Sequence, residues 1–372
     1  MTDARPRLIA FPMHGQHKLS SEGYRTRDGH LIEWFARTSG PEHPVKVVSR
    51  PEPIVLAPIR RFAADTVLGG TEASSTFVGR LPRLKDRQRW WVDSLPYYHR
   101  AVPSITAPVI SWNPFLALSS IWPSVVGSGQ RIGFDLLDDW TIHHAFAGIR
   151  KYVDRAYRTI FEHADFVTAN AEGTLALAHR YGRSDASLLP NGCDPDRFDT
   201  RSVATGPLTV GYVGKIGKRL DLRLMLDAID ALPHVSFVLA GPVLDAGYRG
   251  PLKSRRNVRM LGDVHYNDVP ALLTQFDIGW VPHNVGEGEV GGDVIKTYEY
   301  RAAGLPVLTT PVSGASSRGL DSVTVLESSR HVEWLAGVAA EGVRVARKVS
   351  VLPADVRWER KAGSILDKLG LS

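Results

Sequence analysis

The chain has 372 residues, and this length predicts two domains. A hydrophobic content of 43% is typical of a globular protein, while a single cysteine, Cys193, excludes a disulfide framework and a cysteine-rich metal site. The N-terminus does not resemble a signal peptide and no apolar run reaches about 18 residues, so we expect a cytoplasmic protein, soluble or peripheral at a membrane. The net charge of +6 suggests an anionic partner of unspecified kind.

Short apolar runs alternate with helical patterns in the first half of the chain. Asp28 is placed to cap a helix over residues 28–37, and a longer helical pattern runs from about residue 141 to 164. The apolar runs predict the strands of a parallel sheet, and Gly15 lies in the turn after the first of them. The predicted strands are 7–13, 45–48, 54–58, 105–111, 131–137, 166–168 and 187–189.

The positive charge is unevenly distributed, and residues 80–100, here named the basic segment, hold much of it. They carry six Arg or Lys against two Asp, with Trp90, Trp91, Tyr97 and Tyr98 interleaved. This mixture suits an anionic membrane surface, and it also suits single-stranded nucleic acid. The alternative is a solvated basic face whose aromatic rings turn into the core.

After a polar linker at residues 198–207, the alternation of strands and helices begins again. The predicted strands are 208–213, 235–240, 258–261, 278–281, 307–310 and 323–326. Two such series imply two doubly wound domains that face each other across a cleft. We assign residues 1–200 to the first domain, 201–350 to the second, and 351–372 to a C-terminal helix that could pack back on the first.

The first strand of the second half ends in a basic turn. Gly214 permits a tight turn, and Lys215, Lys218 and Arg219 follow before a helix predicted from about residue 220. Glycine lets the backbone approach a phosphate, and basic side chains near a helix N-terminus favour an anion there. Lys218 and Arg219 would otherwise be a solvated helix start, although cations in that position oppose the helix dipole.

Residues 293–310 predict a short helix, a small-residue corner and a buried strand. Lys296 and Glu299 are three positions apart and therefore share a helical face. The glycine-rich loop before the helix, residues 285–292, could let its first amides approach an anion. Positive charge for phosphates and a carboxylate for ribose hydroxyls would together form a site for a sugar nucleotide. The alternative is a surface helix with an ordinary Lys/Glu pair.

Three stretches of the sequence resemble the GT-B glycosyltransferases, in particular the family 4 group and its relatives that build bacterial surface polysaccharides. A fourth, ADFVTANAEG at residues 164–173, is similar to the segment that precedes the PNG turn in that family. The resemblance is strong from about residue 164 to 311 and faint before it. The three stretches are LLPNGCDPDRF at residues 188–198, YVGKIGKRLDL at 212–222 and DVIKTYEYRAAGLPV at 293–307.

The resemblance implies a nucleotide-diphospho-sugar donor held mostly by the second domain, with no cofactor besides that substrate. Gly15 would let the backbone of the first domain approach the donor, and His14 beside it is a weaker candidate. Asn191 and Gly192 would shape a turn and do no chemistry. The expected donor-binding residues are Gly15, Gly214, Lys215, Lys218, Arg219, Lys296, Thr297, Tyr298 and Glu299, with the cations at the pyrophosphate and Glu299 at the ribose.

One position departs from the family pattern. Many family 4 members carry another glutamate eight residues before the counterpart of Glu299, and Gly291 stands there in this chain. Glu287 and Glu289 lie nearby but out of register. The sugar contact usually given to that glutamate, and a retaining mechanism, are therefore open.

Asp138 and Asp139, in the sequence FDLLDDW at residues 134–140, are the catalytic candidates. They fall where a strand should end, the edge at which such sheets bind ligands. An inverting transfer needs a carboxylate base, whereas a retaining transfer would rely on electrostatic stabilisation of the sugar and the leaving diphosphate. Asp139 would otherwise cap the following helix, on which His143 and His144 are lesser candidates. No metal site is predicted. The sequence DPD at residues 194–196 matches a metal-binding carboxylate pair, but it lies in the PNG turn, where Asp and Pro are typical turn residues.

The sequence therefore predicts an α/β protein of the GT-B fold that transfers a sugar from a nucleotide donor to a lipid-linked or cell-surface glycan acceptor. The basic segment suggests an anionic membrane surface as a further partner. A sugar-nucleotide epimerase of the same architecture would use the same Lys296 and Glu299, with water in place of the acceptor. A binding protein, or a glycosyltransferase acting on nucleic acid, would instead use the basic segment for the nucleic acid.

Overall fold

The computed structural model describes residues 6–39, 42–60, 68–83, 85–286, 292–342, 344–349 and 351–371. The chain divides into two compact units, one formed by Met1–Pro190 with Trp358–Ser372 and the other by Asn191–Arg357. The structural boundaries thus fall after residues 190 and 357, where the sequence placed them after 200 and 350.

The described part of the first unit contains one large parallel sheet and a small parallel pair. Seven strands form the large sheet in the order β4-β2-β1-β6-β7-β8-β9, and β3 pairs with β5. Its middle strands are buried along their whole length, which is why they appear in the sequence as continuous apolar runs. The strands are β1 (Leu8–Phe11), β2 (Val45–Val48), β3 (Glu52–Pro53), β4 (Thr71–Ser74), β5 (Phe77–Val78), β6 (Val109–Ser111), β7 (Ile132–Leu136), β8 (Phe166–Ala169) and β9 (Ser187–Leu188).

Helices connect these strands, as a doubly wound sheet requires. The described α-helices that precede the second unit are α1 (Gln16–Glu22), α2 (Arg27–Ser39), α3 (Ala57–Arg60), α4 (Trp90–Asp93), α5 (Trp122–Gly127), α6 (Arg150–His163) and α7 (Glu172–Arg180).

Two of the elements predicted for the first unit are wrong, and three short strands were missed. Residues 54–58 are not a strand: Ile54–Leu56 forms a 3-10 turn that leads into α3, and Ile54 and Val55 are half exposed. The predicted long helix is broken, because the ring of His143 caps a 3-10 turn at His144–Ile149 and regular helix begins only with α6. The missed strands are β3 and β5, which are two residues long, and β4, whose polar sequence TEAS gives no apolar signal.

The described strands of the second unit form a six-stranded parallel sheet in the order β12-β11-β10-β13-β14-β15. Counted within the unit, this order is 3-2-1-4-5-6, that of a Rossmann fold. Every strand predicted for this half is present. The strands are β10 (Thr209–Val213), β11 (Ser236–Ala240), β12 (Val258–Gly262), β13 (Ile278–Val281), β14 (Val307–Thr309) and β15 (Val323–Val325), and the helices are α8 (Leu222–Ala231), α9 (Ala246–Lys253), α10 (Val269–Leu273), α11 (Ile295–Ala302) and α12 (His331–Ala340).

Glycines in the second sheet allow aromatic rings to lie directly on it. A Cβ atom at Gly279 of β13 would stand 2.3 Å from the ring of Tyr300, and one at Gly211 of β10 would stand 2.0 Å from the ring of Phe276. The close approach of Tyr300 holds α11 against the sheet, and both rings belong to one buried apolar cluster. The position of α11 is therefore fixed by packing.

The C-terminal helix α13 (Trp358–Leu369) is part of the first unit. It packs on α2 through an apolar face formed by Trp358, Ala362, Ile365 and Leu369, all buried. The Trp358 ring stacks on His30 of α2, with ring centroids 4.9 Å apart. The three-to-four-residue spacing of this face explains why it is helical.

Candidate functional site

The carboxylate of Glu299 on α11 is buried in the second unit and has an altered pKa. Glu299 is only 6% exposed, and this burial raises the pKa of its carboxyl group from 4.5 to about 7. A hydrogen bond from Tyr266 and the charges of Lys296 and Arg197 act in the opposite direction without cancelling the effect. The Lys/Glu pair is therefore not an ordinary surface pair, because its carboxylate is withdrawn from water.

Two neighbours of Glu299 anchor α11. The backbone N–H of Val213, the last residue of β10, donates to the Tyr300 hydroxyl over 2.8 Å. The guanidinium of Arg301 is fully buried and donates to Asp321 over 2.9 Å and to the carbonyl of Lys348 over 3.0 Å. These bonds hold the helix at the carboxyl end of β10, the edge at which such sheets bind ligands.

Asp293, just before α11, links the helix to the PNG turn. Its carboxylate accepts bonds from the Tyr298 hydroxyl at 2.9 Å, from Nε of Arg318 at 3.0 Å and from the backbone N–H of Asn191. The Asn191 side chain donates to the Asp293 carbonyl over 2.8 Å. Burial raises the pKa of Asp293, and Arg318 opposes that change. Asp293 and Arg318 were not among the predicted site residues, and Tyr298, which was, makes these contacts within the protein.

Gly214 and Lys296 lie in contact. The Gly214 backbone has φ +149°, and a Cβ atom there would stand 2.9 Å from Cε of Lys296. Nζ of Lys296 lies 5.2 Å from the centroid of the Tyr212 ring, a cation–π distance. The structure therefore brings together the basic turn and α11, which are about 80 residues apart in the sequence.

The remaining cations of the basic turn lie in a loop tied to the segment after β13. The Asn284 side chain donates to the carbonyl of Lys218 over 2.9 Å, and the Asn284 N–H donates to that of Arg219 over 2.8 Å. The side chains of Lys218 and Arg219 are exposed, and Lys215 is half buried. Helix α8 begins at Leu222, close to the predicted start at about residue 220, with Asp221 as its cap, so these cations precede the helix.

The backbone amide of Lys218 already has a partner in the protein. It donates to the Asp245 carboxylate over 2.9 Å. An anion at this turn would therefore meet the exposed side chains of Lys218 and Arg219, not this amide.

His283 also belongs to this group of residues and was missed. It follows β13, and its ring centroid lies 6.4 Å from that of Tyr212. Burial lowers its pKa well below the usual value, and the charges of Lys296 and Arg219 lower it further. Its position after the end of a parallel strand was the signal that could have found it.

In the first unit, Gly15 and His14 lie in the turn after β1. Gly15 caps α1, and a Cβ atom there would make ordinary contacts at 3.5 Å with Ser49. His14 lies with Nδ1 3.2 Å from the Asp28 carboxylate, and its backbone N–H donates to that carboxylate. Burial raises the pKa of Asp28, but the contacts with His14 and Thr26 together lower it by more. The pKa of Asp28 is therefore below its usual value. Asp28 does not cap α2, as was predicted, because α2 already begins at Arg27.

Asp138 and Asp139 follow β7 as predicted, but they differ in their surroundings. Both carboxylate oxygens of Asp139 are engaged, one by Thr141 and the other by Arg180 at 2.8 Å. Asp138 is half buried, and its backbone carbonyl accepts a bond from Tyr157 over 2.9 Å. Asp139 is a turn residue and does not cap a regular helix, because α6 begins only at Arg150.

The aromatic rings of the basic segment mostly face the core of the first unit. Trp90 and Tyr98 are buried, and they bond to the carbonyl of Pro51 and the side chain of Asn113. The Arg50 guanidinium lies 3.7 Å from the centroid of the Trp91 ring. Around Asp93, three arginines lie within 4 Å of its carboxylate: Arg80, Arg83 and Arg89. Within the described part of the chain, no helix is long and apolar enough to span a membrane.

Comparison with solved structures matches nearly the whole chain. The Anabaena HepE structure in complex with UDP and glucose aligns with TM-score 0.67 at 13% identity, covering 98% of this chain and all of that one. Sucrose-phosphate synthase of Thermosynechococcus elongatus aligns with TM-score 0.64 at 14% identity, covering 98% and 96%. Trehalose 6-phosphate synthase of Burkholderia multivorans gives 0.63 at 11%, covering 99% and 98%. The chain therefore has the GT-B fold of glycosyltransferases, as the sequence predicted.

The sequence comparisons agree with the fold. Residues 207–338 match the family model described as glycosyl transferases group 1, so the second unit carries a domain of that family. A Bacillus subtilis (strain 168) protein named as a teichuronic acid biosynthesis glycosyltransferase, TuaH, is 25% identical over 181 residues. The alignment covers 45% of this chain and 45% of that protein, so the chain spans about half the length of this curated relative. The resemblance to GT-B glycosyltransferases is thus confirmed, and its narrower assignment to family 4 stays a prediction.

Proposed function

We propose that the protein is a glycosyltransferase that transfers a sugar from a nucleoside diphosphate sugar to a glycan acceptor. The observation that carries this proposal is the contact of Lys296 with the Gly214 turn, on the same helix that buries Glu299. A cation against a glycine turn suits a pyrophosphate, and a buried carboxylate one helical turn away suits ribose hydroxyls.

The chemistry proposed for the second unit is stabilisation of the leaving nucleoside diphosphate. As the glycosidic bond to the diphosphate breaks, negative charge grows on the phosphate oxygens. Lys296 and Arg219, with Lys215 and Lys218 on the same turn, would offset this charge. Glu299 would fix the nucleoside through its ribose and so align the phosphates with these cations.

The acceptor would be activated by the first unit. Asp138 or Asp139, which follow β7 at the carboxyl edge of the first sheet, would act as the base that takes the acceptor proton. The stereochemistry stays open, since Gly291 and the neighbouring Glu287 and Glu289 lie outside the described residues.

The acceptor proposed is a lipid-linked or cell-surface glycan. The name of the Bacillus subtilis relative, which refers to teichuronic acid biosynthesis, supports a surface polysaccharide as the product. The basic side chains of Arg83, Lys85 and Arg87 are exposed on the surface of the first unit, which is compatible with binding to an anionic membrane. Nucleic acid is the less favoured partner, because the aromatic rings that would stack on bases are largely buried.

A thermal-shift panel of nucleotide sugars tests the donor site. We expect Lys296→Ala and Glu299→Ala to remove the stabilisation that the best donor gives the wild type. The matched control is Arg330 with Glu333, a pair with the same spacing at the start of α12 that is exposed and joined at 3.1 Å. Substituting that pair should leave the shift unchanged. If neither Lys296→Ala nor Glu299→Ala weakens the shift, the site assignment is wrong.

A turnover assay separates transfer from epimerisation. A transferase releases free nucleoside diphosphate only when an acceptor is supplied, whereas an epimerase uses water and needs no acceptor. Nucleotide release that is independent of any glycan acceptor, together with a changed sugar, would favour the epimerase.

A further inference from the structure

We propose that His283 is a further donor-site residue, whose ring nitrogen Nε2 donates a hydrogen bond to a diphosphate oxygen of the nucleotide sugar. This inference rests on the proposed function and adds to it a positioning contact at the leaving group. Three observations support it: the backbone contacts that position the ring, the cations beside the ring, and the absence of a hydrogen-bond partner for Nε2 within the described part of the chain.

The backbone of His283 is fixed between the basic turn and the end of β14. It pairs with Leu220 in an antiparallel bridge, and its carbonyl accepts a bond from the Thr310 hydroxyl over 2.8 Å. The next residue, Asn284, holds Lys218 and Arg219 through its own bonds. The ring therefore has a defined place at the carboxyl edge of the sheet.

The ring is bordered by the cations assigned to the pyrophosphate. Its centroid lies 6.4 Å from the Tyr212 ring, which also carries Nζ of Lys296 at 5.2 Å from its centroid. Lys296 and Arg219 are both close enough for their charges to act on the imidazole. An anionic oxygen is attracted to such a place, whereas an uncharged sugar hydroxyl has no reason to prefer it.

The Nε2 atom of His283 is buried and has no hydrogen-bond partner within the described part of the chain. A buried polar atom left unpaired destabilises the folded chain, so such an atom calls for an explanation. Burial and the two cations also depress the pKa of His283, which keeps the ring neutral at pH 7. A neutral ring with hydrogen on Nε2 is a donor that adds no third positive charge.

The experiment compares three substitutions of His283 by isothermal titration with UDP, GDP and ADP, and with the corresponding phosphate-free nucleosides as competitors. Gln places its amide nitrogen near the position of Nε2, whereas Asn reaches only as far as Nδ1. We expect His283→Ala and His283→Asn to weaken the best nucleoside diphosphate about tenfold to hundredfold, and His283→Gln to restore most of the loss. Affinity for the nucleoside should not change.

The matched control is His234→Ala. His234 is exposed and precedes β11, at the opposite edge of the same sheet, so its substitution should change no affinity. Equal affinities in the wild type and all three His283 variants would overturn this inference while leaving the proposed function intact. A parallel loss of nucleoside and diphosphate binding in all three variants, with a lower melting temperature, would show a purely structural ring. If the wild type binds none of the three diphosphates, the proposed function fails and the inference fails with it.

Discussion

The basic segment and the α11 region are both rich in charged and aromatic residues, yet the structure treats them in opposite ways. In the basic segment the rings of Trp90 and Tyr98 are buried, while most of the cations stay in water. In α11 the carboxylate of Glu299 is buried, and Lys296 lies on a glycine turn. The basic segment buries aromatic rings, whose burial stabilises the fold, whereas the α11 region buries a carboxylate, whose burial destabilises it.

This difference separates structural roles from functional ones. Burial of an aromatic ring stabilises the fold and needs no further explanation. Burial of a carboxylate costs free energy, and such groups are found where their chemistry is used. The comparison therefore supports a site at Glu299 and weakens the idea that the aromatic rings of the basic segment contact a ligand. Four predictions test it.

The largest expected effect is on stability, from the basic segment. Trp90→Ala should lower the free energy of unfolding by about 3–5 kcal/mol, because it leaves a cavity and frees the carbonyl of Pro51. Urea denaturation measures this loss. The half-buried Tyr97 is the control, and its replacement by Ala should cost far less. A Trp90→Ala protein of unchanged stability would contradict the assignment of this ring to the core.

The second prediction concerns stability and pH at Glu299. The pKa of this carboxyl is about 7 in the folded chain against 4.5 unfolded, so the folded state holds its proton to higher pH. The stabilisation is fully present below pH 4.5 and is lost as the pH rises to about 7. Ionisation of this single group should lower the free energy of unfolding by roughly 3 kcal/mol across that interval. The Glu299→Gln variant has no ionisable group at this position. The free energy of unfolding is measured as a function of pH for the wild type and for this variant, and the difference between the two curves isolates the effect of Glu299. Parallel curves would mean that the pKa is not raised.

The third prediction concerns donor affinity at the same carboxyl. If ionised Glu299 accepts bonds from ribose hydroxyls, affinity for the best nucleotide sugar should rise about tenfold between pH 6 and 8. A nucleotide sugar is a suitable probe because its diphosphate is esterified at both ends and keeps its charge over this range. Glu299→Gln should bind more weakly and show no such rise. A rise of the same size in that variant would assign the pH dependence to another group.

Much of this region was predictable from sequence, and the reasons are local. The strands of the second unit are short apolar runs bounded by turns. Gly214 was singled out as the turn after the first of these strands, and Lys296 and Glu299 as residues that share a helical face, with the donor site itself implied by the resemblance to GT-B glycosyltransferases. The burial of Glu299 was not predictable, because it depends on Tyr266 and on residues distant in sequence. His283 was missed for the same reason, since its neighbours Tyr212 and Lys296 come from other elements. In the first unit, polar β4 gave no apolar signal, and no sequence signal marked the 3-10 turn at His144–Ile149 that interrupts the predicted long helix.

The smallest expected effect is that of the surface charges of the basic segment. Because most of the rings face inward, any membrane contact of this segment should be electrostatic, worth about 1 kcal/mol at most for each cation and lost at high salt. Replacing Arg83, Lys85 and Arg87 by Gln should weaken binding to vesicles rich in anionic lipid and leave stability almost unchanged. The control replaces three exposed cations of the second unit, Arg223, Lys253 and Arg330. Vesicle binding that survives the first triple substitution and high salt would show that the membrane contact lies elsewhere. A shift of single-stranded DNA in place of vesicle binding would identify nucleic acid as the partner of this segment.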